Sequence, residues 1–247
     1  MAANLDENIL AVKVTGDFAC FTRPDLKVER MTYPCMTQSA ARGILDCILW
    51  KPEFKWYVRR IKVLRSIAFA SIKRNEINAK QGLFPIYVEE HRAQRSSIVL
   101  RDVAYIIEAS IWQDSYDAKN PLKKYAEMFR RRVRQGQCFR QPFLGMREFS
   151  CQFMEPTESD RPIEDTIPIG SMFFDMYYGA EGKPQPLFAQ DVAVRAGILD
   201  CEHACNANGS LIEKIMTSSH LRPPLSDGVR ELLAFYAAQE EEIAHAQ

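Results

Sequence analysis

The stretch Thr37–Val63, TQSAARGILDCILWKPEFKWYVRRIKV, decides the fold. Thr37 can cap a helix, and Ala40, Ile44, Cys47 and Ile48 then recur at helical spacing, giving the segment through Trp50 one apolar face. Pro52 ends it. From Phe54 onward, FKWYVRRIKVLRSIAFASIK is rich in aromatic and branched residues with basic residues between them, which predicts one long strand, or two bent ones, with a basic face. Upstream, ILAVKVTGDFACFT (9–22) alternates apolar and polar residues and is interrupted by Gly16, the pattern of a buried strand with a bulge or turn.

Downstream, RNEINAKQGLFPIYVEEHRAQR carries Gly82 and Pro85 amid polar residues and reads as an excursion from the core near 74–95, in the form of a hairpin. SSIVLRDVAYIIEASIW is again strand-like. Asn120 and Pro121 supply an N-cap and a first helical residue, opening a helix through about Arg134 that Gly136 closes. Its apolar stripe is Leu122, Tyr125, Ala126, Phe129 and Val133, and QPFLGMREFSCQFM follows as a strand with a glycine turn. The order strand, helix, strands, strand, helix, strand predicts an α+β chain whose residues 1–154 form a ferredoxin-like (RRM-like) domain. The acidic, proline-bearing EPTESDRPIEDTIP is the best linker, and 155–247 is expected to be a small β-rich C-terminal region ending in an amphipathic helix around VRELLAFYAAQEEEIAHA.

The 32 basic and 32 acidic residues of this 247-residue chain cancel, so attraction for a polyanion must come from uneven placement. Seven scattered cysteines make no paired framework, and no signal peptide or bilayer-spanning run is evident, so a reducing cytoplasm with no membrane contact is expected. The charge is uneven in KNPLKKYAEMFRRRVRQGQCF (119–139), where Glu127 is the only acid. Such a helix can be a plain solvated face. Arg140 and Arg147 just beyond it, and Arg59, Arg60 and Lys62 on the earlier strand, add like charge, and a repulsive cluster calls for an anion. Phosphates are the usual anion, and an aromatic ferredoxin-like sheet offers faces for stacking bases, which makes RNA the leading ligand class. CEHAC (201–205) offers two cysteines and a histidine, but structural zinc takes four ligands, so neither metal nor cofactor is assigned. His91, in the excursion, reads as a solvated loop residue.

Taken in order, GDFACFTRPDLKVERMTYPCMTQSAARGILDCILWKP, RAQRSSIVLRDVAYIIEA, NPLKKYAEMFRRRVRQGQCFRQPFLGMREF and GSMFFDMYY resemble the CRISPR-associated family Cas five, in its type I-C form, across about two-thirds of the chain. The resemblance implies a fold of the RAMP superfamily and a guide-RNA processing endoribonuclease. Such an enzyme cuts repeat RNA at the hairpin base and stays on the 5′ handle of the mature guide, beside the backbone and large subunits of a surveillance complex. Target DNA is a further candidate partner. The implied chemistry is metal-independent attack of a ribose 2′-hydroxyl on the adjacent phosphate, leaving a 2′,3′-cyclic phosphate.

Lys123 matches the family's catalytic lysine and Lys124 the position after it, where the family pattern has histidine. Leu49 stands where that pattern has tyrosine, just before WKP, and has no proton to give. Tyr33 or Tyr125 could share proton transfer, although Tyr125 falls on the apolar stripe and reads equally as core. The resemblance also makes RNA contacts of Arg23, Lys27, Arg30 and Tyr33 after the first strand, of Arg42 and Arg95, and of Arg130, Arg131, Arg134, Arg140 and Arg147 on or after the basic helix. Gly145 would let backbone approach the RNA. The alternative is a subunit that caps the guide without cutting, which Leu49 and Lys124 favour.

Overall fold

Thr37 caps α1 (Gln38–Ile48), its Oγ1 accepting the Ala40 N–H at 3.2 Å. The computed structural model describes residues 4–5, 9–80, 82, 85–113, 121–179 and 183–216. Around α1 run β1 (Asn4–Leu5), β2 (Leu10–Ala19), β3 (Lys55–Val63), β4 (Phe69–Ile77), the single turn α2 (Val88–His91), and the 22-residue β5 (Arg92–Gln113). Then come α3 (Leu122–Gln135), β6 (Gln152–Met154), β7 (Ile167–Tyr178), β8 (Pro184–Arg195), β9 (Ile198–Asp200), β10 (Cys205–Asn206), β11 (Gly209–Ser210) and α4 (Leu211–Met216).

The strands pair in the order β6-β2-β5-β3, all antiparallel, which is the ferredoxin-like order with β5 lying between the two strands that α1 connects. Period-two alternation sends Leu10, Val12 and Val14 of β2, Trp56 and Val58 of β3, and Tyr105, Ile107 and Ala109 of β5 into one core, and a bulge between Val58 and Arg60 shifts the phase of β3 so that Ile61 joins them. Ile44, Leu45 and Ile48 of α1 and Tyr125, Phe129 and Val133 of α3 join the same core. Trp56 packs edge-on against Phe54 and Phe129, with ring centroids 5.4 and 4.8 Å apart, and Tyr125 sits 5.0 Å from Phe54.

The basic strand is two strands. β3 pairs with residues 105–112 of β5 and β4 with residues 92–100, so the excursion is a hairpin arm that lengthens β5 past the core. Gly16 makes no bulge: β2 and β5 keep one register from Leu10↔Ala109 to Ala19↔Leu100. A Cβ on Gly16 would lie 2.4 Å from Leu144 Cδ1 and 3.0 Å from the Ser150 carbonyl, so the glycine makes room for the loop lying on the strand. That loop replaces the expected strand over QPFLGMREFSCQFM; a Phe143↔Ser150 bridge closes it and only Gln152–Met154 pair as β6. Pro121 is the N-cap of α3, so the helix starts one position later than predicted, and Asn120, the expected cap, lies outside the described residues. Gly136 ends the helix at φ 64, and Gln137 N–H reaches the Arg132 carbonyl at 2.9 Å.

Past Met154 the expected short strands are present as β9, β10 and β11, but they follow a hairpin of two 12-residue strands, β7 and β8, that the sequence pattern did not indicate. The hairpin joins the same sheet through β9, whose Leu199 faces Ile61 of β3. Residues 155–166 run back across the sheet, tied by Ile163 N–H to the Val63 carbonyl at 2.9 Å and by a Lys13–Asp160 ion pair. The predicted C-terminal helix lies outside the described residues. No described helix is long and apolar enough to cross a membrane.

Candidate nucleic-acid interface

Helix α3 carries its charge in an unusual place. Its N-cap is a proline with no side-chain cap and its first turn holds no acid, yet Lys123 and Lys124 occupy that turn, where the helix dipole is already positive. Both lysines are exposed, with Lys124 Nζ 6.0 Å from the centre of the Tyr125 ring. Placing two ammonium groups at the positive end costs several tenths of a kcal/mol each, on the order of 0.3–1. The same arrangement concentrates positive potential that a phosphate would relieve. Arg130 and Arg131 continue the exposed row, and among the described residues neither they nor Lys123 nor Arg147 has a carboxylate partner.

Other basic residues on α3 and beyond it are partly committed. Arg132 donates to the Ile48 carbonyl at 2.6 Å, while Phe139 and Arg140 N–H groups reach the Cys47 carbonyl at 2.8 and 3.1 Å. These bonds satisfy the C-terminal carbonyls of α1 and lock the two helix ends together. Arg134 lies 3.4 Å from Glu155 in an exposed pair, and Arg140 Nη2 lies 3.6 Å from Cys47 Sγ.

The cations of the basic face of β3 already have partners within the chain, two carboxylates serving three of them. Glu108 of β5, almost fully buried, holds Arg60 at 2.9 Å and also Lys62, while Arg59 donates to Ser110 at 2.8 Å and to Glu202 at 2.6 Å. The anion that these three cations called for is therefore intramolecular. Glu108 and Glu202 are distant in sequence, so charge counting along the chain could not show it.

A second group gathers where the loop after β2, the base of the arm and the Gly145 loop meet. Arg30 touches Met146 Sδ at 3.4 Å and Glu76 at 3.8 Å, while Arg74, which the sequence reading passed over, clamps Glu76 at 2.6 Å and Glu148 at 2.9 Å. Arg23 is paired with Asp25, Arg95 donates to Asn78 at 3.0 Å, and Lys27 and Arg147 are exposed. Gly145 has φ 82, and a Cβ there would lie 2.1 Å from the Cys20 carbonyl oxygen, so only glycine lets this loop lie against the end of β2.

Tyr33 and Arg42 are turned inward. Tyr33 is 5% exposed and its hydroxyl accepts the Phe173 N–H at 3.1 Å. Arg42 grips buried Asp175 of β7 with Nε and Nη2 at 2.6 and 2.9 Å, and Asp46 with Nη1 at 2.9 Å. Two carboxylates thus share one guanidinium. Burial, with the charge of Asp175 adding, outweighs the pull of Arg42 and raises Asp46 from 3.8 to about 6. Between those values the folded chain holds a proton that the unfolded chain has released, so stability falls as pH rises through the window and levels off above it. Asp46→Asn is expected to flatten the melting temperature against pH from about 4 to 6; a curve parallel to that of the unmodified protein would refute the assignment.

The family model described as CRISPR-associated protein (Cas_Cas5) matches residues 9–184. The chain belongs to the Cas5 family, in its type I-C form. It is 45% identical over 183 residues to the CRISPR pre-crRNA endoribonuclease Cas5d of Thermus thermophilus, covering 72% of this chain and 78% of that one. Over 247 residues it is 34% identical to the protein of the same name from Mannheimia succiniciproducens, covering 94% and 98%. A crystal structure of a CRISPR-associated protein superposes with a TM-score of 0.61 at 23% identity, covering 81% of this chain and 94% of that one. A functionally uncharacterized Streptococcus mutans protein gives 0.58 at 22%, covering 78% and 91%. These structural likenesses support the fold.

Leu49, expected from the sequence to stand where the family pattern has tyrosine, lies in the interior. It is fully buried at the C-cap of α1, its carbonyl accepting the Trp56 Nε1–H at 3.0 Å. Tyr125 is 2% exposed on the apolar side of α3, as its place on the stripe indicated. Neither Tyr33 nor Tyr125 is on the surface with the two lysines.

Proposed function

We propose that this Cas5-family chain is a pre-crRNA endoribonuclease that cuts CRISPR repeat RNA at the hairpin base and then holds the 5′ handle of the mature guide within a type I-C surveillance complex, beside its backbone and large subunits. The observation that carries the reading is the exposed Lys123–Lys124 pair on the acid-free first turn of α3, in a chain 45% identical to a protein named for that activity.

Arg130 and Arg131 would track the RNA backbone and seat the scissile phosphate on that first turn. The 2′-oxygen passes its proton to solvent water as it bonds to phosphorus, the bond from phosphorus to the 5′-oxygen breaks, and the leaving oxygen takes a proton from a lysine ammonium that solvent then reprotonates. Ammonium groups suit the second half of this reaction: they stabilise the crowded dianionic phosphorane and can donate the proton. The products are a 2′,3′-cyclic phosphate and a 5′-hydroxyl. Cleavage of a labelled repeat hairpin is expected to proceed equally well in excess EDTA and to leave those ends. A requirement for a divalent cation, or a 3′-hydroxyl product, would overturn the mechanism.

Leu49 favours a second reading, a subunit that caps the guide without cutting it, because a buried leucine stands where the family pattern has a proton-bearing tyrosine. Tight hairpin binding with no product, in either EDTA or magnesium, is the result that would select it.

A further inference from the structure

We infer that a cleft of about 330 Å³ between the start of α1 and the Gly145 loop is a receptor for one unstacked nucleobase of the bound RNA, an inference that rests on the RNA-binding reading above. Its walls are Thr37, Ser39 and Gly43 of α1 on one side and Phe143 and Gly145 on the other, with Phe173 of β7 beside them. The volume sits at the lower end of small-ligand sites, roughly 300–1,000 Å³, which is too small for a helix or strand of a partner but suits a base with part of its ribose.

The lining chemistry selects a neutral, planar occupant. Among the described residues no charged side chain lines the cleft. Its polar groups are hydroxyls and thiols: Thr37 and Ser39 oxygens lie 3.3 Å apart, and Thr22 Oγ1 lies 3.5 Å from Cys20 Sγ. Hydroxyls both donate and accept, so they serve the edge of a base, while Phe143 and Phe173 supply apolar surface for its faces. The cations stand at the margin. Arg140 reaches Cys47 in the lining, Arg30 reaches Met146 next to Gly145, and Arg147 is exposed two residues on. A neutral interior with a cationic margin is the complement of a nucleotide whose base enters and whose phosphates stay out.

Gly43 points the same way. It sits in the interior of α1, where glycine is less stabilising than every residue but proline. Neither of the usual reasons for a buried-side glycine applies, since its φ is not positive and an added Cβ would meet nothing within 4 Å. The helix forgoes stability to keep a bare wall facing open space, which a flat ring can approach closely.

The test is binding of a labelled repeat RNA of the source organism, together with a series in which one abasic nucleotide is moved along the strand. Base stacking is worth about 5–100-fold in affinity, so one abasic position is expected to weaken binding to the unmodified protein by that factor. Gly43→Leu fills the cleft while favouring the helix; it is expected to melt no lower, to bind intact RNA with the abasic affinity, and to show no further loss at that position. Ser39→Leu fills the same space from the first turn and gives the same expectation should Gly43→Leu fail to fold. Either variant, folded and binding intact RNA as tightly as the unmodified protein, or an abasic series without a sensitive position, would overturn the receptor while leaving RNA binding in place. Failure of the unmodified protein to bind repeat RNA would overturn both.

Discussion

Replacing Lys123 and Lys124 together with alanine is expected to slow cleavage of repeat RNA by about 10²–10⁴-fold, the usual size of a lost proton donor or charge stabiliser in a transition state. Binding should suffer much less. Arg130 and Arg131 remain on the exposed row, so affinity should fall uniformly across sequences and the salt slope should drop by about one for each phosphate contact removed. The separation of the two effects is the informative part. A first-turn lysine that merely holds a ground-state phosphate costs affinity and leaves the single-turnover rate at saturation alone; one that meets the phosphorane does the reverse. A double variant that cuts at the normal rate once saturated would demote both lysines to phosphate contacts.

The ferredoxin-like order was legible because its helices and strands carry short-range signals: a cap at Thr37, apolar spacing in α1 and α3, alternation in β2, and a run of branched residues in β5. Where the reading slipped, the deciding contact was distant in sequence. Gly16 looks like a strand interrupter, and only the approach of Leu144 explains it. Arg59, Arg60 and Lys62 look like an unbalanced patch until Glu108 and Glu202 are brought beside them by strand pairing. The arm was recognisable from Gly82 and Pro85, but its length was not, because its alternation continues that of β3 and β5. The lysine pair stands out in the sequence through local charge and family likeness, and its role rests on the cleavage test. Arg74 and Asp175 went unnoticed, since nothing near either residue in sequence marks it as a clamp.

Arg42→Ala is expected to cost about 3–5 kcal/mol of folding stability, the usual result of removing one partner from a buried ion pair. Its carboxylate partner Asp175 is 1% exposed and, among the described residues, would keep only the Met176 N–H at 2.8 Å. In a chain of this size each kcal/mol moves the melting temperature by roughly 2–4 °C, so a drop of about 6–20 °C should be seen. Arg42→Lys should recover only part of it, because an ammonium cannot reproduce the two parallel bonds to Asp175. The same variant separates a clamp from an RNA contact. At a temperature where Arg42→Ala is still folded, its affinity for repeat RNA should lie within a few-fold of normal; a large loss of affinity at an unchanged melting temperature would return Arg42 to the RNA surface. The stakes reach beyond one residue. Arg42 binds α1, the helix that walls the Gly43 cleft and meets the end of α3, to β7 of the hairpin that follows Met154, so this one guanidinium ties the ferredoxin-like strands and helices to the C-terminal strands.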